Sequence, residues 1–175
     1  MIIKRTKPED IPAVMQIYAE ARAFMRENGN PTQWKDGTPP QKLIERDIRE
    51  NKSYVCVDDN AGRGDPNAPP ASTDNILAVF YFSVEREPAY DIISGAWLDG
   101  NSYGVIHRIA KGRNAPKGVG AFCINWCFGQ HANIKIDTHE NNAPMRKLLA
   151  NLNFSYCGVV TYPDGGERIA FQKNC

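Results

Sequence analysis

The stretch "RNAPKGVGAFCINWC", residues 113 to 127, decides the fold prediction because it places two glycines directly ahead of an apolar helical pattern. Gly118 and Gly120 carry no side chain to obstruct a ligand, and the first turn of a helix offers backbone N–H groups without intrahelical partners. Three nearby cations can neutralise phosphate charge: Lys111, Arg113 and Lys117. The stretch therefore predicts either a phosphate-binding turn or a surface loop in which the glycines only turn the chain.

The segments that flank this stretch indicate how the chain folds around it. "YGVIHRIA", residues 103 to 110, has the β-branched content of a strand. Alternation along that strand puts four side chains on one face: Tyr103, Val105, His107 and Ile109. Residues 118 to 127 follow as an amphipathic helix, then "NIKIDT" as a strand, and another helix begins near Asn141 or Asn142.

The periodicities along the whole chain predict the order β-α-α-β-β-β-α-β-α-β-β. This order is typical of a single domain, residues 1 to 175, of α/β (α+β) class. It predicts a mixed, mostly antiparallel sheet of about seven strands with helices on both faces. Thr6 and Glu9 have the spacing of a capping box before the first helix. Residues 58 to 75 predict a flexible hairpin loop, and residues 85 to 102 an irregular connection.

Composition excludes several classes of function. The chain has 175 residues, 42% of them hydrophobic and 23% charged, and a formal net charge of +1, so no overall field indicates nucleic acid or a membrane. It has no run long enough to cross a bilayer and no signal peptide at its start, so we expect a cytoplasmic protein. Five cysteines without a CxxC pair and three histidines predict buried, reduced thiols and no metal site.

The order of motifs from Tyr103 to Phe154 resembles that of the Gcn5-related N-acetyltransferase superfamily, whose members bind acetyl-coenzyme A (acetyl-CoA). That family has a Q/R-x-x-G-x-G/A loop leading into a helix, and "APKGVG" matches it at both glycines. Its second signature resembles N-x-x-A-x-x-L-Y-x-x-x-G-F, and "NAPMRKLLANLNF" keeps Asn142, Leu148 and Phe154 in place. "GNPTQW", "YGVIHRIA" and "IDTHENN" are also similar to segments of an uncharacterised bacterial subgroup of these acetyltransferases.

The chain departs from both family signatures. Ala115 stands where the loop usually has Arg or Gln, although Arg113 can replace part of that charge. Met145 replaces a small residue and Asn153 a glycine. Leu149 occupies the position of the tyrosine that often protonates the departing thiolate, so the usual acid is missing.

The resemblance implies an acyltransferase that moves an acetyl group directly from acetyl-CoA to an amine of a small molecule or peptide. No nucleic acid, membrane or metal partner is expected, and the sequence leaves a homodimer open. The strand ending at Ile109 and Ala110 would lie beside the pantetheine arm, the turn from Lys117 to Ala121 would hold the pyrophosphate, and Asn142 would lie near the sulfur. The implied cofactor-binding residues are Ile109, Ala110, Lys111, Arg113, Lys117, Gly118, Val119, Gly120, Ala121 and Asn142.

The proton chemistry is less specified. His107 is the favoured general base because it precedes the expected thioester position, Ile109, by two residues; a hydrogen-bonded core histidine is the alternative. Tyr103 shares its strand face and is the second catalytic candidate. For the acid, Tyr103, Tyr156 and Tyr162 all qualify, and spacing selects none of them.

The resemblance also suggests where the acceptor binds. The early helices and the loop before the cofactor strand face the substrate in this family, so Trp34 and Trp97 are predicted to line the acceptor site. A structural role in packing is equally open for each tryptophan. His139, just after the next strand, is a third substrate-binding candidate, and its alternative role is to cap the following helix.

Two other functions stay open. The glycine turn, its flanking strands and Asp137 imitate part of a dinucleotide-binding unit, although Cys123 stands at the third glycine and a seven-residue loop precedes Gly118. A non-catalytic acyl-coenzyme A sensor on the same scaffold is the other alternative, and Ala115 and Leu149 favour it.

Overall fold

A computed structural model of the chain describes residues 1–59 and 75–174. The predicted hairpin loop at about 58–75 lies almost entirely outside these described residues. The helices are α1 (Ile11–Glu27), α2 (Gln41–Arg49), α3 (Val119–Gln130) and α4 (Ala143–Asn151). The strands are β1 (Ile2–Arg5), β2 (Ser53–Val57), β3 (Ile76–Val84), β4 (Ile93–Gly95), β5 (Gly104–Lys111), β6 (Asn133–Thr138), β7 (Ser155–Thr161) and β8 (Glu167–Asn174).

The strands form one sheet in the order β1-β2-β3-β5-β6-β8-β7-β4. Only β5 and β6 are parallel within the described residues; the other neighbours are antiparallel, which confirms the predicted mixed sheet. The sheet has eight strands rather than about seven, because β4 lies inside the segment predicted as irregular. At three residues β4 is too short to show a period, and it pairs with β7 where Gly95 faces Gly158. A Cβ on Gly95 would lie 2.1 Å from the Cys157 carbonyl oxygen, so this approach requires glycine.

Helices cover both faces of the sheet, as predicted. Phe80 and Phe82 of β3 pack in the core that α3 and α4 complete, where Leu149 is fully buried. Val79, between them in sequence, packs with Val14 of α1 on the opposite face. The central strand β3 is buried on both sides because its sequence is apolar at successive positions.

Strand β5 carries an irregularity that the sequence pattern does not reveal. Val79 pairs with Ala110 and Tyr81 with His107, so one residue of β3 faces two of β5, Arg108 and Ile109. This is a β-bulge, and Arg108 adopts the left-handed φ of 52°. The extra residue reverses the alternation beyond it. Ile109 therefore packs in the α3 and α4 core, and the prediction that it shares a face with His107 is wrong.

Strands β5 and β6 separate immediately after a short paired region. Their parallel pairing joins Gly104–Ile106 to Ile134–Ile136 and extends no further. Beyond it β5 continues to Lys111 against β3, while β6 continues to Thr138 against β8. The backbone of β5 from the bulge onward thus faces a gap in the sheet rather than its parallel neighbour.

Three smaller predictions have mixed outcomes. The prediction of a capping box formed by Thr6 and Glu9 is wrong. The Thr6 hydroxyl is hydrogen-bonded to Ser53 Oγ at 2.8 Å, and it is the Lys7 amide that donates to the Asp10 side chain, at a 3-10 turn before α1. Four cysteines are buried free thiols, as predicted, namely Cys56, Cys123, Cys127 and Cys157. No helix in the described parts of the chain is both long and apolar enough to span a membrane.

Candidate active site

The gap between β5 and β6 contains a cavity of about 40 Å³. Its lining includes Trp34, Ile109, Asp137, Thr138, Asn142 and Met145. The Thr138 hydroxyl is buried and has no hydrogen-bond partner among the described residues. A buried polar group without a partner costs free energy, so this hydroxyl fits a polar ligand group or a water in the gap.

The glycine turn lies before α3, and its two glycines have different roles. Gly118 precedes the helix with a left-handed φ of 89°, and a Cβ there would meet nothing within 4 Å, so space above it is open. A Cβ on Gly120 would lie 3.1 Å from Leu148 Cδ2, so Gly120 also permits the close approach of α3 and α4. The amides of Val119, Gly120 and Ala121 lie in the first turn of α3. Most N–H groups in a first turn have no carbonyl acceptor within the helix.

The predicted phosphate-neutralising cations surround this turn in exposed positions. Lys111, Arg113 and Lys117 are all exposed. The Arg113 amide donates to the Glu20 carboxylate of α1 at 2.8 Å, and this bond is the main cause that lowers the pKa of Glu20. The turn is thereby tied to α1, and exposed cations lie near its backbone amides in the chain.

Asn142 connects the gap to the connection between α1 and α2. Its side-chain oxygen accepts from the Met145 amide at 3.2 Å and caps α4, which agrees with the predicted helix start near Asn141 or Asn142. Its amide nitrogen donates to Gln33 Oε1 at 2.9 Å. Ala110, by contrast, is buried in the α1 and α2 core, so only its backbone can serve a ligand.

His107 lies between two carboxylates at the edge of the gap. Its Nε2 atom is 2.9 Å from Glu87 Oε2, and its Nδ1 atom is 3.8 Å from Asp137 Oδ2. The hydrogen bond with His107 is the main cause that holds the pKa of Glu87 below its ordinary value. Asp137 also accepts from the hydroxyls of Tyr90 and Tyr162, each at 2.7 Å.

This cluster can take up a proton. The His107 side chain is 14% exposed, so it is accessible yet largely shielded from water. Its two carboxylate neighbours stabilise the imidazolium form that proton uptake produces. Burial raises the pKa values of Tyr90 and Tyr162, which keeps both hydroxyls protonated as donors to Asp137. No group of three or more His, Cys, Asp or Glu side chains in residues 1–59 and 75–174 is suited to hold a metal ion.

Sequence reasoning missed most of this cluster. Glu87 and Tyr90 lie in the connection after β3, where no motif marks them, and the sequence pattern suggests Asp137 only as a dinucleotide-binding acid. Tyr162 follows β7 and was only one of three candidate acids. No spacing in the chain relates these residues, because four separate segments bring them together.

The other predicted proton donors lie elsewhere. The Tyr103 hydroxyl accepts from the Glu87 amide at 3.0 Å, so it holds the Glu87 segment in place. Tyr156 is 60% exposed and packs against Phe171 of β8. Leu149, at the family's tyrosine position, is fully buried and presents no group to the gap.

The predicted substrate-binding residues are not brought into one site. Trp34 lines the gap and packs edge-on against Tyr18. Trp97 packs on Tyr90, and its indole N–H donates to the Tyr90 carbonyl oxygen at 3.0 Å. His139 Nδ1 accepts from the Asn141 amide at 3.2 Å in the turn before α4.

Among the comparisons with known proteins, only the search of solved structures finds similar proteins, and these include acetyltransferases of the GNAT family. No protein-family model matches the chain, and neither does the sequence of any curated protein. Among solved structures, an acetyltransferase of the GNAT family from Streptococcus agalactiae superposes with a TM-score of 0.83 and is 28% identical, covering 99% of this chain and 95% of its own. A ribosomal-protein-alanine N-acetyltransferase from Brucella melitensis has a TM-score of 0.58 and 16% identity, with complete coverage of both chains. A chain of the NatC complex bound to Gag peptide and CoA has a TM-score of 0.61 and 9% identity, covering 99% of this chain and 98% of its own.

Proposed function

Because this chain belongs to the Gcn5-related N-acetyltransferase superfamily, we propose that it transfers an acetyl group from acetyl-CoA to an amine of a small molecule or peptide. The observation that carries the proposal is the gap between β5 and β6 together with the open glycine turn that follows β5 in the chain and precedes α3. Solved structures of the same fold include one bound to CoA, which supports this choice of donor. We also propose that the reaction takes place in the cytoplasm.

The residues around the gap fit coenzyme A. The backbone of Ile109–Lys111 would hold the pantetheine arm, and the unpaired Thr138 hydroxyl provides a polar contact beside it. The amides from Lys117 to Ala121 would hold the pyrophosphate, because first-turn amides and the helix dipole favour anions. When bound, acetyl-CoA supplies an acyl thioester that reacts with the amine.

His107 is the general base in this proposal. It takes the proton that the acceptor amine loses, and Glu87 and Asp137 stabilise the resulting imidazolium from either side. Tyr90 and Tyr162 fix the Asp137 carboxylate by donating to one of its oxygens. Tyr103 contributes by positioning the Glu87 segment rather than by transferring a proton.

A charge-matched pair of variants at Gly118 tests the cofactor assignment. Asn and Asp both tolerate a left-handed φ, and Asp at a helix start favours the fold, so Gly118→Asn and Gly118→Asp should both fold. They differ only in the carboxylate that faces the open turn. We expect coenzyme A, measured by calorimetry, to bind Gly118→Asp at least about tenfold more weakly than Gly118→Asn. Equal affinities would overturn the pyrophosphate assignment.

A non-catalytic acyl-coenzyme A sensor is the second candidate, and the burial of Leu149 favours it because no acid occupies that position. Thiol release from acetyl-CoA across a panel of amino acids, polyamines, aminoglycosides and peptide N-termini separates the two. Release that depends on the amine supports transfer. Tight binding without release from any acceptor supports the sensor.

A further inference from the structure

A second cavity, of about 390 Å³, opens on the His107 side of the sheet. Its lining includes Glu85, Arg86, Tyr90, Asp91, Tyr103 and Lys135. Its volume is in the range of pockets that take a small molecule. Tyr90 and Tyr103 support the proposed acetyl-transfer chemistry from its wall, but that chemistry assigns no role to its lysine.

Lys135 is the unusual residue in this cavity. It lies in the middle of β6, is 4% exposed, and places its ammonium 4.2 Å from the Trp97 ring centroid and 4.1 Å from that of Tyr103. The ammonium makes no ion pair or hydrogen bond within the described residues. Burial lowers the pKa of this lysine. Two cation–π contacts offset only part of the desolvation cost of a buried charge, so the ammonium is suited to gain an anionic partner.

The other charges around the cavity are already matched. Arg86 pairs with Asp91 at 2.5 Å, both of them in the lining. Glu85 accepts from Lys52 at 2.8 Å and also from the Tyr81 hydroxyl. The Asp99 and Asp91 carboxylates act on the Lys135 ammonium only from beyond ion-pair distance, so an anionic ligand group in the cavity has room to pair with it directly.

The cavity borders the proton-accepting cluster through two tyrosines. Tyr90 and Tyr103 line it, and their hydroxyls bond Asp137 and the Glu87 amide respectively. Lys135 and Asp137 are alternate residues of β6, so they share a face and lie about 6.7 Å apart along the strand. An anion held by Lys135 would therefore place an amine carried a few bonds away toward the side of the cavity where Tyr90 and Tyr103 border the cluster around His107.

We propose that the cavity binds the carboxylate of the acceptor through Lys135, so that the acceptor is a small amine carrying a carboxylate, such as an amino acid. The inference rests on the proposed acetyl transfer, because it names the substrate class for that reaction. A carboxylate would make charge-assisted hydrogen bonds to the ammonium, and its amine would face His107.

The test compares α-amino acids with their carboxamides, which differ in the carboxylate alone. We expect wild-type kcat/KM for the best amino acid to exceed that for its carboxamide by about tenfold or more. In Lys135→Met this preference should fall to about twofold or less, while the affinity for coenzyme A stays the same. Equal use of both ligands by the wild type, or a preference that survives in Lys135→Met, would overturn the inference.

Lys173→Met is the matched control. Its ammonium also lies over an aromatic ring, 4.7 Å from the Phe128 centroid, on β8 and away from the cavity. This variant should keep the full preference for the carboxylate. If both variants lost the preference for the amino acid over its carboxamide, the preference would come from the net charge of the protein, and a local site at Lys135 would be contradicted.

A wild-type measurement covers the case in which Lys135→Met does not fold. Acetic anhydride labels lysine amines, and mass spectrometry reads the labelling of Lys135. The N-acetyl derivative of the preferred amino acid keeps the carboxylate but has no amine to consume the reagent, so it should protect Lys135 severalfold, whereas the N-acetyl carboxamide should not; equal protection would contradict the inference. Coenzyme A affinity, measured separately, reports on the proposed function. A protein that binds coenzyme A without carboxylate preference therefore refutes the inference alone, and one that does not bind coenzyme A refutes the function.

Discussion

The two halves of the β5–β6 strand pair differ although the same two strands form both. In the first half, Gly104–Ile106 pairs in register with Ile134–Ile136, and the isoleucines are buried in the core. In the second half the strands separate, and β5 carries a bulge, a left-handed arginine and a partly exposed histidine. The first half obeys the rules of a regular strand, and the second departs from them.

The separated half is where we propose that binding and chemistry take place. A bulge and a positive φ in a non-glycine residue each cost stability, so they persist only where surrounding contacts hold them. Arg108 is held by Asp47 of α2 at 2.5 Å, and its carbonyl oxygen accepts from the Tyr18 hydroxyl of α1. Contacts with α1 and α2 thus hold the bulge of the separated half, whereas Ile106 and Ile134 of the paired half are buried in the core that α3 and α4 complete.

The largest expected effect comes from removing the support of the bulge. Asp47→Ala leaves the Arg108 guanidinium largely buried without its carboxylate, and we expect the free energy of unfolding to fall by about 3 kcal/mol or more. Urea denaturation measures this. Asp36→Ala is the control, because Asp36 forms an exposed ion pair with Arg26 and should cost less than about 1 kcal/mol. Similar losses in both variants would show that the bulge depends little on its ion pair.

The next effect is catalytic and confined to the separated half. His107→Ala should lower kcat at least about 100-fold through loss of the general base, with coenzyme A affinity unchanged. The control is His139→Ala, since His139 bonds only its own turn among the contacts described for it, and this variant should keep most of the activity. Normal turnover by His107→Ala would remove it from the mechanism.

A smaller effect concerns the two tyrosines that bind Asp137. Tyr90→Phe and Tyr162→Phe each remove one hydrogen bond to the same oxygen, so each should lower kcat by about tenfold or less. The double variant should lose more than the product of the single effects, because Asp137 then has neither tyrosine donor. A double-mutant cycle in kcat tests this coupling, and strictly multiplicative effects would contradict a shared role.

The smallest effect belongs to the paired half. Ile134→Val should cost about 1 kcal/mol of stability, because it removes one methylene from a fully buried side chain. Turnover at a temperature where the variant is folded should not change. A large loss of activity in Ile134→Val would contradict the distinction between a paired half that only supports the fold and a separated half that carries the chemistry.

The parts of the site that depend on local rules were predictable from the sequence. The glycine turn, α3 after it and the Asn142 cap of α4 all follow from short-range signals. The bulge was not predictable, because "YGVIHRIA" alternates like a regular strand and the extra residue appears only in the register with β3. The cluster around His107 was not predictable either, because Glu87, Asp137 and Tyr162 come from segments that only the fold brings together.

Hydrogen exchange on adding coenzyme A tests the central claim most directly, namely that the separated half of β5 and β6 is the binding site. We expect amide exchange to slow in the β5 segment from the bulge to Lys111 and in the turn from Lys117 to Ala121, with little change in Gly104–Ile106. Exchange that stays the same in both segments, or that slows only elsewhere in the chain, would contradict it.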